Sequence, residues 1–148
     1  MNSSSINQLN LSVERILAYI VDMVVVYVIL FIISIAIGIV LVIFVSLLIF
    51  IPVLSSIISF LGLLIQLLLA LGFPILYFYF TENKYKHTVG HKLFGLKVEG
   101  TESASRDAKI KRAVLKHPLP MIFVFLIGLL NGGKFYHETL TGIRTVKE

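Results

Sequence analysis

The stretch SVERILAYIVDMVVVYVILFIISIAIGIV, residues 12–40, decides how the chain is read. It opens like a surface helix and turns into a membrane span, with Arg15 and Asp22 at the entry. From Met23 to Phe80, 58 consecutive residues pass without Asp, Glu, Lys, Arg or His. A buried helix of a soluble domain does not stay uncharged for so long, whereas a bilayer demands it. The composition agrees. The 148 residues are 57% hydrophobic and 14% charged, with a mean hydropathy of +0.96, against about 25% charge in an ordinary soluble domain.

A single helix of 58 residues would be roughly 87 Å long, against a hydrocarbon core of about 30 Å. The segment therefore folds back, and the interruption is FIPVLSSIIS, Phe50–Ser59, where Pro52 and three serines break the aliphatic run. We read spans at about 16–48 and 57–80. Residues 1–11 read as a flexible tail. They lack the basic start, short apolar core and small-residue cleavage site of a secretory signal, so no cleavable signal is expected.

Nine Lys or Arg lie between Thr81 and His117, within a net charge of +5. Such a basic segment (81–117) predicts a cytoplasmic location and contact with anionic lipid head groups. Two spans then place the N-terminus in the cytoplasm of a multi-pass protein of the plasma (cytoplasmic) membrane. No nucleic-acid-binding signature accompanies the charge, and nucleic acid is not expected as a partner. Within the basic segment, SRDAKIKRAVLKH carries Ala108, Ile110, Ala113 and Val114 among five cations and predicts an amphipathic helix on the membrane surface. The apolar piece that follows, 118–133, has 12 continuous apolar residues with Pro120 inside. Both a re-entrant helix and a third span fit that length. The C-terminal motif, 134–148, echoes an earlier one. Gly95-Leu96-Lys97-Val98 and Gly142-Ile143-Arg144-Thr145-Val146 each read as a short strand after a turn, and could pair as a two-stranded ribbon. The fold class is thus an all-α integral membrane protein: a transmembrane hairpin, an amphipathic helix, a short third membrane helix and a small ribbon.

Arg15 and Asp22 sit two helical turns apart on one face, about 10.5 Å along the axis. Helical side chains lean towards the N-terminus, so Arg15 leans away from Asp22 and is expected to reach lipid phosphate. Asp22 needs a partner elsewhere, either as a structural carboxylate, as an ion or proton ligand, or in neutral form. The histidines His87, His91, His117 and His137 are read as satisfied interfacial residues. With no cysteine and no catalytic or phosphate-binding pattern, no metal, cofactor or enzymatic activity is expected.

Three motifs, in order, resemble the RDD family of small membrane proteins, named for one arginine and two aspartates. RILAYIVD resembles its first-helix pattern and carries over to Arg15, Ala18 and Asp22. HTVGHKLFGLKVEG is similar to its loop pattern, placing Thr88, Gly90, Gly95 and Lys97, with His91 where the family has lysine and Lys92 beside it. HETLTGIRTVKE resembles its closing element, with His137 followed by Glu138 where the second aspartate would fall. The resemblance implies one membrane domain over 12–148, with Arg15, Asp22, His137 and Glu138 as a polar site. It implies transport of ions or small ligands as a possible role, with a non-catalytic accessory subunit as the alternative. A lone hairpin encloses no pathway, so transport implies a homo-oligomer or a larger membrane complex.

Overall fold

The computed structural model describes residues 3–48, 50–121, 123–124 and 135–148. The fold is mostly helical. Helix α1 runs Ser3–Leu47 and takes in most of the segment that composition reads as a tail. Helix α2 runs Pro52–Phe80. Both are long and apolar enough to cross a membrane. The expected interruption at Phe50–Ser59 ends at Ile51. Pro52 opens α2 instead of breaking it, because the first helical position needs no amide hydrogen.

The chain divides into two compact units. The first of these, Val26–Phe73, is the apolar part of α1 and α2 with the turn between them. Its serines are self-satisfied. Ser55 and Ser56 donate to the Pro52 carbonyl at 2.9 Å, and Ser59 donates to the Ser55 carbonyl at 2.9 Å. A hydroxyl without water must find a partner, and the helix's own carbonyls supply it. At Gly62 an added Cβ would lie 2.3 Å from a methyl of Leu41, so the missing side chain lets the two helices meet there.

The second unit, residues 1–25 with 74–148, holds all of the charged side chains. After α2 the chain widens into a π-helical turn, Thr81–Tyr85, and reverses at Lys86, whose φ is 61°. Helix α3, Val89–Leu93, is capped by Thr88, whose hydroxyl accepts from the His91 amide at 3.1 Å. Strand β1, Leu96–Glu99, leads through a turn at Gly100 to helix α4, Arg106–Leu115, capped by Ser105. Residues 118–121 are helical. The choice between a re-entrant helix and a third span for 118–133 falls largely outside the described residues. Helix α5, Tyr136–Thr141, stops at Gly142 in the left-handed region, as helices commonly do, and strand β2, Arg144–Lys147, follows.

The two Gly–aliphatic–basic echoes form the sheet. β1 and β2 are antiparallel, with Leu96 opposite Lys147, Lys97 opposite Val146, Val98 opposite Thr145 and Glu99 opposite Arg144. Leu96, Val98 and Ile143 turn inward from this ribbon. Met121, Val124 and Phe135 form a small apolar cluster against Ile16, Tyr19 and Leu115. The unit is a polar module wrapped around the first turns of α1 and the last turn of α2.

Candidate functional site

Asp22 is 1% exposed, and its partner lies in the loop motif. One carboxylate oxygen accepts from the Gly90 amide at 2.8 Å and from the Tyr77 hydroxyl at 2.8 Å. The other accepts from the Thr88 hydroxyl at 2.5 Å. Tyr77 in turn accepts from the Val89 amide at 3.3 Å. The first turn of α3 exposes amides with no partner in their own helix, and here each finds an oxygen of Asp22, Tyr77 or Thr88. Both carboxyl oxygens of Asp22 are thus partnered, Oδ1 twice and Oδ2 once. Gly90 makes this docking possible. A Cβ there would lie 1.9 Å from the Ala18 carbonyl oxygen, backbone against backbone. Asp22, Ala18, Thr88 and Gly90 are therefore one piece of geometry.

Arg15 does not reach out to lipid. Its side chain is only 14% exposed, and it donates to Glu138 at 3.2 Å and to the Thr145 carbonyl. The guanidinium also lies 5.8 Å from the centre of the Phe135 ring. The physical reason is supply: β2 and α5 bring a carboxylate and a carbonyl to the arginine, so snorkelling to phosphate is unnecessary. Glu138 uses its second oxygen to accept the Thr145 amide at 2.7 Å. Its longer arm spans both donors. As expected from side-chain direction, Arg15 and Asp22 have separate partners.

A second ion cluster is absent from the residues singled out in sequence. Glu82, 3% exposed, accepts from Arg112 at 2.7 Å and from Lys116. Arg112 also donates to the Ile143 carbonyl at 2.7 Å and to the Thr145 hydroxyl at 3.0 Å. Lys116 sits 5.4 Å from the centre of the Phe78 ring. Two of the nine cations expected to face lipid thus point inward, because Glu82 needs them. The sequence signal was Glu82 itself, the acid that ends the uncharged run, with Arg112 and Lys116 spaced one helical turn apart.

Between these clusters lies a cavity of about 20 Å³, bordered by Arg15, Tyr19, Asp22, His91, Lys116, His137 and Thr145. That is room for about one water. His91 and His137 are 4% and 3% exposed, and the Nδ1 of each has no hydrogen-bond partner among the described residues. Burial pushes the His91 imidazole down to about 3, and the nearby cations Lys116 and Arg112 push the same way. Burial and the same cations hold His137 well below its ordinary 6.5. Both rings are neutral at pH 7. His91, where the family motif has lysine, is thus an uncharged group beside Lys116. The structure gathers Arg15, Asp22, Thr88, Gly90, His137 and Glu138 into the module's interior. The remaining motif residues do other work. Lys92 is exposed on α3, Gly95 ends α3 with φ 61°, and Lys97 pairs with Glu99 at 3.2 Å.

The RDD family model matches residues 11–135, most of the chain. The chain belongs to the RDD family. With two helices able to cross a bilayer, it is a membrane protein of that family. The match takes in Arg15, Asp22 and the Thr88–Lys97 loop and stops before His137 and Glu138. No curated protein and no solved structure matches the chain.

Proposed function

We propose that this RDD protein is a non-catalytic, accessory subunit of the cytoplasmic membrane, multi-pass and with its N-terminus in the cytoplasm. Its named residues lock a polar module onto the ends of the helices. One observation carries this reading: every acid in the site is already saturated. Asp22 has three protein donors, Glu82 has two cations, and Glu138 has Arg15 and an amide. A cation at Asp22 would compete with Tyr77, Thr88 and Gly90, the same donors that hold the start of α3. Such a subunit works inside a homo-oligomer or a larger membrane complex.

A second reading, movement of protons or small cations through Asp22, draws on the water-sized cavity that Asp22 shares with His91 and His137. Neutral imidazoles with an open Nδ1 can pass a proton. One experiment separates the two. The protein is purified in mild detergent, its co-purifying chains are counted, and it is reconstituted in liposomes with cation and pH gradients. The accessory reading expects a stable complex and no flux above empty vesicles. A flux that Asp22→Asn abolishes would overturn it in favour of transport.

A further inference from the structure

Helix α4 turns one of its cations, Arg112, inward. Arg112 is 1% exposed and Ala113 beside it is buried, whereas Ile110 and Val114 are 40% and 42% exposed on the outer side. Ile110 and Val114 are one turn apart and share a face. Past the helix end, Leu119 and Phe123 are also exposed, at 67% and 68%. A helix bordering water has the opposite arrangement, with arginine outside and isoleucine and valine inside. Arg106 and Lys111, both exposed, flank the apolar stripe on its two sides. Asp107, in the first turn, faces the helix's positive end and confines the stripe to the last two turns. Cations bordering an apolar strip complement an anionic lipid surface.

The module's own bonds fix where this strip can be. Arg112 and Lys116 hold Glu82, which follows α2 directly, and Lys116 lies over Phe78 of α2. The inner face of α4 is thereby held to the end of α2, a helix long and apolar enough to cross a membrane, and the outer face with Ile110 and Val114 is left uncovered.

We propose that α4 is an anionic-lipid contact. Ile110 and Val114 enter the acyl boundary, and Arg106 and Lys111 take lipid phosphate oxygens. This goes beyond the accessory reading and holds equally for a transporter.

The test uses the absence of tryptophan from the chain. Single substitutions Ile110→Trp, Val114→Trp and Ser103→Trp are made in the full protein. Ser103 is an exposed loop residue ahead of α4. Each is reconstituted in phosphatidylglycerol–phosphatidylcholine vesicles with brominated acyl chains. Emission at 110 and 114 should be blue-shifted and quenched at least twofold more than at 103. Adding Arg106→Glu and Lys111→Glu should lower that quenching in the anionic vesicles. Equal quenching at all three positions overturns the proposal. So does a blue-shifted but unquenched tryptophan at 110 or 114 that becomes water-exposed on dilution into excess lipid, the mark of a second copy on this face. Unchanged thiol labelling of a Val98→Cys reporter in each variant confirms an intact module.

Discussion

Removing Glu82 should open the module by a predictable amount. The side chains of Arg112, Lys116 and Glu82 are 2%, 5% and 5% exposed, so both cations depend on one buried carboxylate. Glu82→Ala leaves two like charges facing each other without water. Breaking a buried ion pair by deleting one partner costs about 3–5 kcal/mol. At about 1.4 kcal/mol per decade, that raises the open population by roughly two to three and a half decades. Arg112 also holds the Ile143 carbonyl and the Thr145 hydroxyl, so the ribbon opens with it. The chain has no cysteine, and Val98 on β1 is 1% exposed, so Val98→Cys is a single buried reporter. When closing outpaces labelling, its thiol reacts at a rate proportional to the open fraction. Glu82→Ala should therefore speed labelling by at least a hundredfold. Methionine at 82, 112 and 116 together should recover most of the protection, since an apolar replacement of a buried ion cluster removes the stranded charges. What remains lost is about 1 kcal/mol for each group that Arg112 no longer satisfies. An acceleration below tenfold in Glu82→Ala, or a triple variant as open as the single one, would refute the argument.

Three further outcomes follow from the same geometry. Gly90→Ala should cost about 3 kcal/mol, the upper end for overpacking, because the clash with Ala18 is between backbones and no side chain can yield; reporter labelling at Val98→Cys measures it. Arg15→Lys should cost about 1–2 kcal/mol, because an ammonium cannot serve Glu138 and the Thr145 carbonyl in the guanidinium's two-pronged geometry; a lower thermal midpoint in detergent with unchanged helicity is the expected readout. The module should weaken in acid. Its buried histidines stay neutral when folded and take protons below about 6.5 when unfolded, so this stability is full above pH 6.5 and is lost as pH falls, towards about 3 for His91. The slope is up to about 1.4 kcal/mol per pH unit per histidine, and thermal midpoints from pH 7.5 to 5 should flatten in His91→Leu.

How much of this was legible in the sequence depends on how far a residue's partner lies along the chain. The 58-residue uncharged run fixed the two long helices, because hydropathy is a local property. The ribbon was legible because its two strands share a pattern. Arg15 and Asp22 could be seen as polar residues in need of partners, and side-chain direction correctly separated them. Their partners could not be read. Glu138 lies 123 positions from Arg15, and Gly90 lies 68 from Asp22. Local reasoning gave Arg15 the nearest available anion, a lipid phosphate, when the fold brings it a carboxylate instead. Glu82, Arg112 and Lys116 were lost in a segment read only by its net charge. A count of nine cations says nothing of which two are turned inward.

Helix α4 marks the deeper limit, because patterning assumes that the solvent is known. For a helix in water, apolar residues define the inside. For a helix between a polar module and a bilayer, the rule has no fixed sign, and the same sequence admits either face as the interior. Here the ionic demand of Glu82 decides. Arg112 reaches three acceptors by turning inward, and Ile110 and Val114 are left outside as a consequence. An apolar strip beside exposed cations suits a surface where acyl chains and phosphates meet it together, which is the contact proposed above. The orientation of α4 thus follows from one buried carboxylate at the end of α2. The proposed lipid contact and the ion cluster are two faces of the same placement. Replacing all three ion-cluster residues by methionine removes the reason for the inversion. In that background, tryptophan at 110 should lose part of its lipid quenching as α4 becomes free to roll, while single-site tryptophan in the parent keeps it.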